Sequence, residues 1–208
     1  MGTRDKILET AREMFNEQGI ENTSAKMIAT KMRISDGNLR YHFRTKESLI
    51  YALYRQLAEG FDQQFVPLDT DHQFSLEQIY LMLESVYTRL YTHRYLMADF
   101  MAIMRKYPRI AQDYRQLIRR REQQFTRLIE LFRQQGMLKS DIPMNQYRQM
   151  IQQFYVFSDA WIGHAEVFMK EAGAEEKIRH YVQLAFSIIA PYLTEEGKAQ
   201  YAHALQEN

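Results

Sequence analysis

The chain has 208 residues, 46% of them hydrophobic and 25% charged, enough apolar material for one large globular domain or a small domain joined to a larger one. It contains no cysteine, which excludes disulfides and thiolate metal sites and suits a reducing cytoplasm. A net charge of +1 says nothing about nucleic acid, but the charge is unevenly placed: between Asn22 and Lys46 stand Lys26, Lys31, Arg33, Arg40, Arg44 and Lys46 against the single anion Asp36. The charged amphipathic start lacks the apolar core of a signal peptide, and the most apolar run, Leu184 to Leu193, is too short to span a bilayer. A soluble cytoplasmic protein with no membrane partner is expected.

Nearly every segment repeats with helical period and none alternates as a strand, so the expectation is an all-α fold of nine or ten helices. Ile7, Leu8, Ala11, Met14 and Phe15 form the first apolar face, with Thr3 as N-cap and Gly19 as terminator. A second helix starts at Thr23 or Ser24 and carries Met27, Ile28 and Ala29. A third starts at the N-cap Ser35 and turns Leu39 inward. The next runs from Glu47 to Phe65 on a face of Leu49, Ile50, Leu53, Leu57 and Phe61. Val66 to Gln73 reads as a loop, after which Ser75 and Gln78 have capping-box spacing. A Met-rich helix is expected from Tyr95 to Lys106. Pro108 suits the first turn of a long helix ending near Gly136. Asp141 and Pro143 open another to Lys170, Ala174 to Ala190 forms the next, and Thr194 caps the last.

The stretch from Ile28 to Leu39 has helix-turn-helix logic. Ala29 is small enough for two helices to cross closely, Ile28, Ile34 and Leu39 fill the space between three helices, and Ser35 caps a short helix that can enter a major groove. Its continuation, Gly37-Asn38-Leu39-Arg40-Tyr41-His42-Phe43-Arg44-Thr45-Lys46-Glu47-Ser48-Leu49, resembles the TetR-family signature G-x-L-Y-x-H-F-x-x-K-E-x-L. Ile7, Leu8, Ala11, Phe15 and Gly19, then Thr23, Ile28 and Ala29, are similar to that family's first two helices. The resemblance covers roughly the first 50 residues, and the remainder matches only in helix number and length. It implies a helix-turn-helix DNA-binding domain over residues 1–46 and a helical ligand-binding and dimerisation domain over 47–208. It further implies a repressor that binds a palindromic operator as a homodimer and leaves it when a small-molecule effector binds. Two positions depart from the pattern: Arg33 stands where the turn usually has Gly, and Arg40 where an aromatic is usual.

Chemistry assigns roles within the head. Arg40, Tyr41, His42 and Lys46 offer cations and donors to phosphate oxygens. Thr23 and Ser24 place hydroxyls and free N–H groups at a helix N-terminus, a second phosphate site. Ser35 caps the helix whose Asp36, Gly37 and Asn38 lie where the family reads bases. Asn38 suits adenine and Asp36 a cytosine amino group, unless Asp36 only complements the helix dipole. His42 has a structural reading as well, and Phe43 and Leu49 read as core.

In the body, residues 144–170 carry two apolar stripes. The wide one holds Tyr147, Ile151, Phe154, Tyr155, Trp161, Ile162 and Phe168; the narrow one holds Val156, Ala160, Gly163 and Val167. With Tyr181, Leu184 and Ile188 of the following helix, the narrow stripe suggests a dimer interface, the alternative being a helix buried within one subunit. Tyr87, Phe100, Met104, Arg121, Phe125, Phe154 and Trp161 are candidates for a ligand pocket, although such stripes also form ordinary core. Arg121 lies between Ile118 and Phe125, where it meets an anionic ligand or snorkels to the surface; snorkelling is preferred. No catalytic triad, zinc-protease motif, phosphate loop or dinucleotide fingerprint occurs, and His164 and His180 lack metal-ligand spacing. No enzyme activity, cofactor or metal is expected. A helical scaffold that has lost DNA binding is the other reading.

Overall fold

A computed structural model describes residues 2–64 and 74–207; Phe65 and the expected loop from Val66 to Gln73 lie outside the described residues. Eleven α-helices follow in order among them: α1 (Thr3–Asn22), α2 (Ala25–Lys31), α3 (Asp36–His42), α4 (Lys46–Gln64), α5 (Leu76–Thr92), α6 (Arg94–Ala98), α7 (Phe100–Lys106), α8 (Pro108–Gln134), α9 (Met144–Phe168), α10 (Ala174–Ser187) and α11 (Glu195–Glu207). A 3₁₀ turn spans Ala190–Tyr192, and the one antiparallel bridge among the described residues pairs Leu138 with Leu193.

Local chemistry sets most of the boundaries. Gly2, one residue earlier than expected, is the N-cap of α1, and its N–H donates to Asp5 at 3.1 Å. Gly19 leaves helical geometry at φ 80°, so the last turn of α1 is kinked there. Ser24, Ser35 and Ser75 each accept a backbone N–H three residues on, at 3.1–3.2 Å. Gln78 returns the bond to Ser75 at 3.0 Å, completing the expected capping box. Each such cap contributes about 1 kcal/mol by satisfying a donor that the helix cannot. The Met-rich segment is two helices instead of one: His93 and Asp99 sit outside helical geometry on either side of the five-residue α6. That break lets Tyr95, Leu96 and Met97 all be buried.

The head consists of α1–α3 and the start of α4, closed over Ile7, Leu8, Phe15, Ile28, Leu39 and Leu49. In the body α5 packs on α10 and α11, and α9 lies against α6, α8 and α10. The two parts are fastened together. Asn16 on α1 donates to the Thr92 carbonyl at 2.9 Å and accepts from the Tyr95 N–H at 3.1 Å. Phe15 and Tyr95 rings meet at 5.4 Å. Glu21 pairs with Lys106 at 2.7 Å, and on α4 the Tyr51 hydroxyl donates to Asp113 of α8 at 2.7 Å.

At the far end, Thr194 Oγ1 accepts from Gly197 N–H at 3.1 Å and starts α11. A Cβ at Gly197 would lie 2.2 Å from the Met137 carbonyl oxygen, a backbone atom fixed by its bond from Thr194 N–H. Gly197→Ala is therefore expected to force α11 away from its seat at a cost of about 1–3 kcal/mol. In a chain of this size that lowers the melting temperature by about 3–10 °C. An unchanged calorimetric midpoint would show that α11 shifts freely.

Candidate nucleic-acid interface and ligand cavity

Arg33 occupies the turn between α2 and α3 at φ 56°, the left-handed conformation that glycine adopts more cheaply. Its N–H donates to Thr30 and the next N–H, from Ile34, donates to Ala29, so the turn is closed by backbone bonds. The usual geometry is thus kept with a cation in place of glycine.

On α3 only Leu39 is buried. Ser35, Asp36, Gly37, Asn38 and Arg40 are exposed, and Tyr41 is 85% exposed. Arg40 Nε donates to Asp36 Oδ2 at 2.7 Å. An exposed i,i+4 pair contributes only about 0.3–0.5 kcal/mol, so both groups remain available to a stronger partner. His42 is half-buried with its ring edge-on to Tyr41 at 5.2 Å. Phe43 and Leu49 are core, as expected. Arg4, outside the basic segment, stacks over Phe43 at 5.2 Å. It adds a cation that only the packing of α1 reveals.

One head residue, Thr23, differs from its expected role, and a second, Lys46, has a structural bond beside it. Thr23 is fully buried, and its hydroxyl donates to the Gly19 carbonyl at 2.9 Å and lies 3.4 Å from that of Met14. It closes the kinked end of α1 and offers nothing to a phosphate; Ser24 stays exposed as the α2 cap. The Lys46 ammonium donates to the Ile20 carbonyl, tying the start of α4 to the end of α1. Partial burial pushes its pKa down, Glu21 opposes that shift and Lys106 adds to it.

Helices α4–α9 line an apolar cavity of about 100 Å³. Of the pocket candidates, Phe100, Met104, Arg121, Phe125 and Phe154 stand on its wall. Tyr87 and Trp161 do not: they stack on each other at 5.1 Å, fully buried behind the wall, although the Tyr87 hydroxyl reaches the wall residue Ser158 at 3.0 Å. Arg121 does not snorkel. It is buried on the cavity wall, and Nη1 donates to Gln124 at 2.8 Å. The sequence reading missed Asp159, whose carboxyl oxygens both lie 2.6 Å from the Tyr114 hydroxyl. Burial raises its pKa to about 6, with the Tyr114 bond opposing that shift. The signal was present: an acid one turn after Tyr155 and one turn before Ile162, at the edge of the wide stripe.

On the outside of α9, Val156 and Val167 are each 71% exposed, Ala160 and His164 are exposed and Gly163 is partly so. Leu184 of α10 is exposed and Ile188 half-buried. This apolar stripe is not covered by the described residues, which speaks against the alternative of a helix buried in one subunit. Tyr181 is an exception among the expected interface residues. It is 2% exposed, packs on Trp161 at 5.3 Å and bonds His164 Nδ1 through its hydroxyl at 2.5 Å, so it belongs to the subunit core. Phe168 moves the other way. Expected on the wide stripe, it is 72% exposed and stacks on His164 at 4.2 Å.

Among the described residues no helix is long and apolar enough to cross a membrane. Residues 7–53 match the model of "Bacterial regulatory proteins, tetR family", and residues 56–201 match that of "Bacterial transcriptional repressor". The transcriptional regulator UidR of Escherichia coli K12 is 33% identical over 112 residues, 52% of this chain. The match spans only 55% of that relative's length. A TetR-family regulator from Marinobacter aquaeolei VT8 superposes with a TM-score of 0.86 at 29% identity, covering 99% of this chain and 98% of the other. SmeT, the repressor of a Stenotrophomonas maltophilia multidrug efflux pump, shares the fold, with a TM-score of 0.67 at 16% identity over 94% of this chain and 92% of its own. With both halves matched by family models, the chain belongs to the TetR family of bacterial transcriptional regulators.

Proposed function

We propose that this chain is a cytoplasmic repressor that binds a palindromic operator as a homodimer and is released by a small-molecule effector held in the body cavity. The observation that carries the reading is the polarity of α3. It buries Leu39 alone and turns the residues from Ser35 to Tyr41 toward solvent, as a helix that enters a major groove must. The head is assigned to residues 1–46 and the body to 47–208, with α4 rooted in one and packed in the other. The uncovered stripe on α9 and α10 supports the homodimer, and the apolar cavity supports an effector. An intact exposed face at Asn38, Arg40 and Tyr41 favours this reading over a scaffold that has lost DNA binding. The test is a mobility shift against the DNA upstream of the gene, with and without metabolite extract. A specific complex dissolved by extract is expected; absence of any specific complex would sink the reading.

Lys46 gives a sharper measurement. Its ammonium sits at the joint between α1 and α4, where a phosphate would share it with the Ile20 carbonyl. Lys46→Ala is expected to weaken binding equally on all sequences and to reduce the salt slope by about 1. A loss confined to the specific site would assign Lys46 to base recognition instead.

A further inference from the structure

The cavity has a charge preference written into its wall. Asp159 on α9 is half-buried in that wall, and its carboxyl group is met by one neutral phenol, that of Tyr114 on α8. No described cation forms an ion pair with it. A carboxylate drawn partly out of water and met by a hydroxyl remains poorly compensated, and a counter-charge brought by a ligand would supply what is missing. The surrounding surface is suited to that ligand. Tyr54, Phe100, Phe125, Phe154 and Tyr155 stand around the same space. Phe100 and Tyr114 meet edge to face at 5.0 Å, as do Phe125 and Tyr155 at 5.9 Å. Aromatic faces attract organic cations, and more strongly once water is excluded. The hydroxyls of Tyr54 and Tyr155 are buried without a bonded partner, so the wall also offers polar oxygens.

Resting on the reading of this cavity as the effector site, we propose that its ligand is a small organic cation, a quaternary or protonated amine on an apolar body, with the positive charge seated beside Asp159. Arg121 is the opposing charge on the wall. It lies seven residues from Tyr114 along α8, about 10 Å or two helical turns. Its guanidinium bonds Gln124 and is near enough to Tyr155 to affect that phenol. Burial and the Tyr114 bond, not Arg121, set the state of Asp159, so a cation in contact with that carboxylate meets its attraction first.

The preference should depend on pH in one direction. Tyr87 of α5, Tyr114 of α8 and Tyr155 on its own helix stand within electrostatic reach of Asp159, and Tyr54 of α4 and Arg121 of α8 line the same cavity. Burial pushes all four phenols upward, and a guanidinium stays charged throughout. Between pH 5 and pH 8 Asp159 is therefore the group that changes, with the carboxylate present above its raised pKa of about 6.

The test uses the full chain and three probes in calorimetric titration: benzyltrimethylammonium, its neutral isostere neopentylbenzene, and the anion 3-phenylpropionate. The cation is expected to bind at least tenfold more tightly than the isostere at pH 7.5 and to lose that advantage as pH falls through 6. Asp159→Asn should weaken the cation at least tenfold and change the isostere less than twofold, which also reports that the cavity is still formed. Equal binding of cation and isostere, tighter binding of the anion, or no binding of any probe at millimolar concentration each overturns the proposal. If the cation binds through Asp159 but leaves the DNA complex intact, the charge preference stands and the effector reading falls.

Discussion

Gly163→Glu is expected to convert the protein to a monomer and to remove specific operator binding. Within the chain a Cβ at Gly163 would meet nothing within 4 Å, so the substitution leaves the subunit's own packing untouched. In a two-fold seam built from Val156, Ala160, Gly163 and Val167 it would bury a carboxylate from each copy with no partner. At a cost of about 3 kcal/mol per copy, counted twice by symmetry, the dimer dissociation constant rises by roughly four orders of magnitude. Val156→Glu, on a residue 71% exposed in the chain, should do the same. Sedimentation velocity would show a monomer with unchanged helical circular dichroism. The monomer carries one α3 and can hold only half of a palindrome, so specific affinity collapses while weak non-specific binding to phosphate persists. A wild-type chain already monomeric at high micromolar concentration would remove the interface on α9 and α10.

Where the sequence was informative, the responsible group is local. Ser24, Ser35 and Ser75 bond N–H groups three residues away, so their capping is readable from spacing, and Pro108 and Gly136 bound α8 by backbone conformation alone. Where it failed, the decision was tertiary. Thr23 looked like a free hydroxyl at a helix start, but the kink at Gly19 folds carbonyls back onto it. Tyr181 and Leu184 are three residues apart on a helix apolar over a wide arc, and only the position of Trp161 selects which is covered. Phe168 shares the wide stripe, yet α9 ends there and no described residue covers it. Arg121 and Asp159 are both polar interruptions of apolar stripes. Whether such a residue snorkels or stays inside depends on how far the neighbouring helices extend, which periodicity does not carry.

Asn16→Ala is expected to uncouple the cavity from the head while leaving each nearly intact. Besides the Glu21–Lys106 pair between α1 and α7, two bodies of contact join them. One is α4, which starts in the head at Lys46 and contributes Tyr54, Leu57 and Ala58 to the cavity wall. The other is the junction of α5 and α6, where the Asn16 amide holds the Thr92 carbonyl and the Tyr95 N–H. Leu96 and Met97, the next two residues, line the cavity. An occupant that displaces α6 therefore pulls α1 through Asn16, and with it the spacing of the two α3 helices. Operator binding needs that spacing near one turn of B-DNA, about 34–36 Å. By linkage, if the ligand weakens DNA binding, DNA weakens ligand binding by the same factor, typically about 5–150-fold. In the wild type, affinity for the organic cation or for a ligand recovered from extract should fall by such a factor when operator is present. In Asn16→Ala the factor should drop severalfold toward the part carried by α4, with operator affinity in the absence of ligand nearly unchanged. Loss of the two bonds also costs about 1–2 kcal/mol of stability, because the Tyr95 N–H is left without its acceptor. A coupling factor identical in wild type and variant would assign the whole transmission to α4 and the Glu21–Lys106 pair. Equal ligand affinities with and without operator in the wild type would mean that no switch links the cavity to the head.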